Sequence, residues 1–357
     1  MPLLGSVLVP VNTRDSQHVP DHDLFIDRPL AGPEGDVEPR HKPPDPDDTW
    51  VILHTSGTTA APKPVELSYG NFRASAAAAQ ANLPIGPGDR WLCVLPLFHV
   101  GGLSILTRCA FYGAQPVIHE RFDVEAVKHS LESGEAAVVS LVATMLRRLR
   151  DAGLRRAPAL RAALVGGGPV PADLLEWGAE VGLPLLQTYG MTETCSQIAT
   201  APGGSGSARL LPGVEARIGD AGEILVRGPM VARGALGADG WLHTGDRGRL
   251  DPDGSLHVDG RIKDTIVTGG ENVAAAEVEE ALLAHPAVAD AAVAGRPDAE
   301  WGEAVTAFVV PARPVTDDEL REHCRARLAG YKVPRAFLRL NELPRTASGK
   351  VLKGRLP

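Results

Sequence analysis

The chain has 357 residues, 36 basic and 44 acidic side chains for a formal net charge of -8, and 44% hydrophobic residues, enough for one large domain with a substantial core plus a smaller one. The acidic balance and the lack of a basic cluster with interleaved aromatics speak against non-specific nucleic-acid binding. There is no apolar run of about 18 residues for a membrane span and no basic-then-apolar start for a secretory signal. The four cysteines, Cys93, Cys109, Cys195 and Cys324, lack CxxC spacing, which points to reduced thiols in a cytoplasmic protein rather than a metal site or a disulfide framework.

Residues 15–48, rich in Pro, Asp and Gly, read as a connector. From Trp50 to about Gln187, apolar runs alternate with amphipathic ones. Residues 50–53, 91–95, 115–119, 136–142, 162–165 and 183–186 are predicted strands; 71–81, 102–112, 124–132, 145–152 and 172–181 are predicted helices. Such alternation implies an α/β domain with a mostly parallel sheet. Between residues 210 and 259 the helical pattern stops, and Asp239-Gly240, Asp253-Gly254 and Asp259-Gly260 suggest turns of an antiparallel β-rich subdomain. After Asp264 comes a small α+β unit: helices over 275–284 and 317–328, strands over 288–294, 304–310 and 336–340. The change of pattern places a boundary near residues 260–264.

The loop Thr55-Ser56-Gly57-Thr58-Thr59-Ala60-Ala61-Pro62-Lys63 follows a buried strand. Hydroxyls, a glycine and a lysine are suited to phosphate oxygens. It is not a Walker A loop, because Ala61-Pro62 precede Lys63 and Pro64 follows it. A polar surface turn is the plain alternative.

This loop resembles the phosphate loop of the adenylate-forming superfamily, which includes acyl-CoA synthetases. Further segments match in the family's order: Val94-Leu95-Pro96-Leu97-Phe98-His99, Gly166-Gly167-Gly168-Pro169, Gln187-Thr188-Tyr189-Gly190-Met191-Thr192-Glu193-Thr194, Gly222-Glu223-Ile224-Leu225-Val226-Arg227-Gly228, Trp241-Leu242-His243-Thr244-Gly245-Asp246, Asp259-Gly260-Arg261-Ile262-Lys263-Asp264, Gly269-Gly270-Glu271-Asn272-Val273 and Pro344-Arg345-Thr346-Ala347-Ser348-Gly349-Lys350. The resemblance covers nearly the whole chain. It implies an adenylation domain over residues 1–259, a hinge over 260–264 and a mobile C-terminal domain over 265–357.

The implied reaction uses ATP, Mg²⁺ and coenzyme A. A carboxylate attacks the α-phosphate, and a thiol then displaces AMP. Bringing two anions together calls for positioning and charge neutralisation. By resemblance Lys350 is the cation for the α-phosphate, Thr192 donates to it, and Glu193 holds Mg²⁺. Tyr189 stacks on adenine, and Gly167, Gly168 and Pro169 admit it. Thr188, Gly190 and Met191 complete that turn. Asp246 accepts from ribose, Arg261 contacts ribose or phosphate, and Lys263 is the hinge. Gly269, Gly270 and Glu271 border the thiol tunnel, and His99 lies near the acyl pocket. Each has a plain alternative: a surface lysine, a helix-start carboxylate, a core aromatic, a turn cap, a charged linker or a core histidine.

The run from Leu185 to Ile198, with Gly166 to Pro169 and Leu95 to Arg108, resembles the o-succinylbenzoate–CoA ligases of menaquinone synthesis. That substrate keeps one carboxylate free, and Arg108, Ser140, Thr144, Ser196 and Gln197 are candidates for holding it; for Arg108 an ordinary helix-surface arginine is the plain alternative. The alternatives are an aromatic or medium-chain acyl-CoA ligase, or a nucleotide-binding homologue without turnover. The expected partner is a small carboxylic acid; a homo-oligomer is compatible with the sequence, which carries no signal for one. Ala60 and Pro64 stand where glycines are common, and Ser68-Tyr69 where Thr/Ser-His is frequent. Ser6-Val7-Leu8-Val9-Pro10-Val11-Asn12-Thr13-Arg14 resembles a segment usually well inside such enzymes, so the chain is either compact or lacks an upstream portion.

Overall fold

The computed structural model describes residues 45–55, 63–202, 207–345 and 351–357. Residues 15–44 of the connector, Ser6 to Arg14, loop residues Ser56, Gly57, Thr58 and Thr59, and Lys350 lie outside the described residues.

Strands β1 (Thr49–Thr55) and β2 (Lys63–Ser68) pair antiparallel on either side of the hydroxyl-rich loop. Ser68 then caps helix α1 (Tyr69–Gln80): its Oγ accepts from the Asn71 N–H, and Asn71 Oδ1 accepts from the Ser68 N–H. Ser68, the residue of this pair that keeps the family's Thr/Ser, thus makes a capping box with Asn71. The chain continues through β3 (Arg90–Cys93), α2 (Val100–Tyr112), β4 (Gln115–Ile118), α3 (Val124–Glu132), β5 (Val138–Val142), α4 (Ala143–Asp151), β6 (Ala162–Gly166), α5 (Ala172–Glu180) and β7 (Leu185–Met191). Strands β4, β3, β5, β6 and β7 run parallel in that order.

Alternate residues along these strands enter two cores. Trp91, Cys93, Val138 and Leu164 pack with Phe72, Leu103 and Ile105 of α1 and α2. Leu92, Val94, Val139 and Val165 pack with Val127, Leu146, Leu149 and Leu174 of α3, α4 and α5. Both faces are covered, which explains why the strands read as continuous apolar runs.

Three expectations need correction. Strand β7 does not stop near Gln187 but continues through the motif to Met191. It pairs antiparallel with the unforeseen β8 (Ser196–Pro202). The expected antiparallel β-rich part is present: β9 (Ala208–Leu210), β10 (Glu215–Ile218), β11 (Glu223–Arg227), β12 (Leu242–Leu250) and β13 (Ser255–Arg261) extend the same sheet to eleven strands. Finally, Asp259-Gly260 is no turn. It lies inside β13, where the register with β12 slips between Arg247/Gly260 and Gly248/Val258 and Gly260 takes φ +134°. That is a β-bulge, which glycine permits.

The small domain contains β14 (Thr265–Thr268), β15 (Glu271–Ala274), α6 (Ala275–Leu283), β16 (Val288–Asp298), β17 (Gly302–Pro311), α7 (Asp317–Arg325) and β18 (Ala336–Arg339). The β14–β15 hairpin was also unforeseen. Val278 and Leu282 of α6 and Leu320 of α7 pack on Val293, Val305 and Val309.

Candidate active site

Of the expected nucleotide residues, Tyr189 of β7 meets Asp246 of β12 and Arg261 of β13 at the open end of the β12–β13 hairpin. Asp246 and Arg261 are register partners. Asp246, only 5% exposed, accepts from the Tyr189 hydroxyl at 2.8 Å through Oδ2 and from Arg261 Nε at 2.8 Å through Oδ1. Arg261 also donates to the Thr244 carbonyl at 3.0 Å. The Thr244 hydroxyl donates to the Ile224 carbonyl at 2.7 Å and accepts from the Asp246 N–H at 3.0 Å. Burial, with the Asp246 charge adding to it, holds the Tyr189 hydroxyl far above the usual phenol range, so it acts as a donor.

Glycines set the approach of the backbone. A Cβ on Gly190 would fall 2.0 Å from the Ser196 carbonyl oxygen, and one on Gly166 would fall 2.3 Å from Thr188 Oγ1. Gly167 takes φ +81°, and nothing lies within 4 Å of a Cβ built at Gly168. The loop before Pro169 is therefore open on one side and tight on the other.

After β7 the chain makes a single 3-10 turn, Thr192–Thr194. The Thr194 hydroxyl accepts from the Met191 N–H at 3.0 Å. Cys195 and Ser196 follow with φ of 51° and 87°, a left-handed pair of non-glycine residues. Backbone of this kind persists only where its surroundings enforce it. Here Ser75 of α1 donates to the Cys195 carbonyl at 2.8 Å. Glu193 is half-buried, and its carboxylate makes no ion pair or side-chain hydrogen bond among the described residues. Among those residues no three His, Cys, Asp or Glu side chains cluster to hold a metal. A lone unpaired carboxylate fits Mg²⁺, which keeps its other positions for water and phosphate oxygens.

Arg108 on α2 is 2% exposed. It donates to Gln197 Oε1 at 3.3 Å and to Ser75 Oγ at 3.1 Å, its Nε lacks a partner, and no carboxylate lies within ion-pair distance among the described residues. Burial lowers its pKa. Gln197 in turn donates to the Thr200 hydroxyl. Ser196 Oγ lies 3.5 Å from Ser104 Oγ, one helical turn before Arg108. Arg108, Gln197 and Ser196 are thus one neighbourhood. Ser140 instead accepts from the Trp91 indole at 3.1 Å, and Thr144 lies in the first turn of α4. His99 precedes α2 against the Phe98 ring (centroids 4.5 Å apart); its buried Nε2 has no partner, and burial lowers its pKa.

Elsewhere, Thr55 Oγ1 donates to the Lys63 carbonyl at 3.2 Å, closing the neck of the hydroxyl-rich loop. Lys63 and Lys263 are exposed. Gly269, Gly270 and Glu271 form the exposed β14–β15 turn, with φ of +58° and +84° at the glycines. Two supporting residues escaped the sequence reading. Ser75 sits in an alanine-rich helix that gives no polar signal, and Thr244 was legible only as part of a motif.

Residues 7–236 match the AMP-binding enzyme family, and residues 277–350 match the AMP-binding enzyme C-terminal domain. The chain is 45% identical over 334 residues to the 2-succinylbenzoate–CoA ligase of Bacillus licheniformis, covering 87% of this chain and 70% of the relative. Among solved structures it is similar to the o-succinylbenzoate CoA synthetase of Bacillus subtilis in complex with the acyl-adenylate intermediate (TM-score 0.82, 43% identity, 87% of this chain and 69% of that one). It is also similar to the same enzyme with ATP and magnesium ion (TM-score 0.81, 43% identity, 87% and 70%). The chain belongs to the AMP-binding enzyme family.

Proposed function

We propose that this chain is an ATP-dependent acid–CoA ligase that converts o-succinylbenzoate to its CoA thioester through an acyl-adenylate. Asp246, oriented by Tyr189 and Arg261, accepts from the ribose hydroxyls. Tyr189 packs against adenine beside Gly167, Gly168 and Pro169. Glu193 holds Mg²⁺, which when bound neutralises phosphate charge. The substrate carboxylate attacks the α-phosphorus, the bond to pyrophosphate breaks, and Thr192 and Lys350 steady the oxygens between. The thiol sulfur of coenzyme A then forms a bond to the acyl carbon as AMP leaves.

The observation that carries the choice of acid is Arg108. A buried guanidinium without a counter-ion is costly. A second carboxylate on the substrate, approaching across Gln197 and Ser196, would offset that cost. A fatty acid has no such group. Domain limits of 1–259 and 265–357, with Lys263 in the hinge, account for a small domain that presents first Lys350 and then Gly269-Gly270-Glu271. Four free, buried cysteines support a cytoplasmic setting; among the described residues no helix is long and apolar enough to cross a membrane.

The test is thioester formation from ATP, Mg²⁺, coenzyme A and a panel of acids. o-Succinylbenzoate is expected to turn over fastest. The assignment fails if it yields no thioester where benzoate or a medium-chain acid does.

A further inference from the structure

Strand β12 does not run evenly beside β11. Leu225 faces His243 and Glu223 faces Arg247, so Ile224 alone stands opposite Thr244, Gly245 and Asp246. The extra length of β12 bulges out of the ladder, and Asp246 is carried on that bulge. A bulge leaves backbone groups without their usual cross-strand partners, and those groups must be satisfied in another way. Here side chains do it. The Thr244 hydroxyl donates to the Ile224 carbonyl at 2.7 Å and accepts from the Asp246 N–H at 3.0 Å. The Gly245 N–H donates to Glu223 Oε1 at 2.8 Å. Gly245 takes φ +69°, and a Cβ built on it would meet Arg261 Nη1 at an ordinary 3.7 Å. The left-handed backbone, rather than crowding, calls for glycine there.

Glu223 is itself held from both oxygens. Its Oε2 lies 3.0 Å from His243 Nδ1, and its side chain is only 19% exposed. His243 is 53% exposed and also faces Asp239 Oδ1 at 3.5 Å, so its pairing with Glu223 adds little by itself. The bond that bears on the site is the one to Gly245. It is a charge-assisted contact to the backbone one residue before Asp246. The Asp246 oxygens are aligned on Tyr189 and Arg261 at 2.8 Å each, and a shift of the bulge would turn them away.

We propose that Glu223 is a positioning residue for the nucleotide: by accepting from the Gly245 N–H it sets the bulge that aims the Asp246 carboxylate at the ribose hydroxyls. This rests on the reading in which Asp246 accepts from ribose. Glu223 touches no part of the ligand and acts only through the β12 backbone.

The experiment is calorimetric titration of the full chain with Mg²⁺ and either ATP or 2′,3′-dideoxy-ATP. No acid is present, so the ribose contacts are read without turnover. The parent is expected to bind ATP at least about tenfold more tightly than the dideoxy form, as hydrogen bonds to a charged group imply. Glu223→Met keeps the length of the side chain but cannot accept. It is expected to weaken ATP about tenfold and the dideoxy form by less than about twofold, so that the preference collapses. Glu223→Gln keeps an acceptor for the Gly245 N–H and is expected to restore most of the preference. Glu223→Asp keeps the charge but shortens the reach, and is expected to lose part of it. Equal weakening of both nucleotides in Glu223→Met, with Glu223→Gln no better, would mean a general disturbance of the sheet and overturns the proposal. So does an undiminished preference in Glu223→Met or, should that variant not fold, in Glu223→Asp. A parent chain that binds both nucleotides equally removes the ribose reading of Asp246 itself, and the proposal with it, before any variant is compared.

Discussion

Two carboxylates of the site are held in opposite ways. Asp246 is buried, and each of its oxygens accepts from a neighbouring side chain, Tyr189 or Arg261. Glu193 stands on a one-turn helix, half-buried, with no side-chain partner among the described residues. Asp246 belongs to a network closed by the protein itself, a form suited to a ligand part that stays the same through the reaction. Glu193 keeps its charge uncommitted, as needed where phosphate charge must be neutralised and then released. Under the proposed function, the division is between a preformed nucleotide seat and a phosphate end completed by metal, substrate and the small domain.

The strongest way to break this division is to remove the cation that the proposed mechanism assigns to the small domain. Lys350→Ala is expected to slow adenylation on the order of 10²–10³-fold, about 3–4 kcal/mol, while thiolation of supplied acyl-adenylate continues. Single-turnover assays of each half-reaction decide the matter; equal loss in both contradicts the role. Next in size is Glu193→Gln. Removing the unpaired charge should lower the adenylation rate about tenfold to a hundredfold, the scale of one contact to a charged group, and raise the Mg²⁺ concentration for half-maximal rate. A Mg²⁺ dependence identical to the parent's would place the metal elsewhere.

Tyr189→Phe probes the closed side. Losing one hydrogen bond to Asp246 is expected to raise KM for ATP about fivefold, roughly 1 kcal/mol, with little change in kcat. A large drop in kcat would show that this side takes part in the chemical step and erase the contrast. The smallest effect concerns pH. His99, His285 and His323 all have folded-state pKa values lowered from 6.5, mainly by burial. The unfolded chain then binds more protons as pH falls through 6.5, so stability present above that value declines below it. His99→Asn should flatten that decline in a chemical-denaturation series. A series with the parent's slope would assign the effect to the His285–His323 pair, whose rings lie 4.7 Å apart.

Much of this was legible in the sequence because local chemistry dictated it. Gly190 sits where no Cβ fits, and Asp239-Gly240 and Asp253-Gly254 lie at turns as written. The alternation of apolar runs gave the parallel sheet, since strands covered on both faces have no polar side to interrupt them. The misses share a cause. Strand β8 and the short β14–β15 hairpin are stabilised by partners rather than by their own pattern. The Tyr189–Asp246 bond joins residues 57 apart, and Ser75 reaches the Cys195 carbonyl across 120. No periodicity carries such pairings. Arg108 looked like either a helix-surface arginine or a pocket residue; burial without a counter-ion removes the first reading, and only the three-dimensional packing could reveal it.

Exchange of labelled pyrophosphate into ATP, in the absence of coenzyme A, goes straight to the adenylate. Incorporation that requires o-succinylbenzoate and Mg²⁺, with AMP rather than ADP appearing once coenzyme A is added, is the predicted result. Thioester formation without any acid-dependent exchange, or with ADP as the nucleotide product, would contradict it.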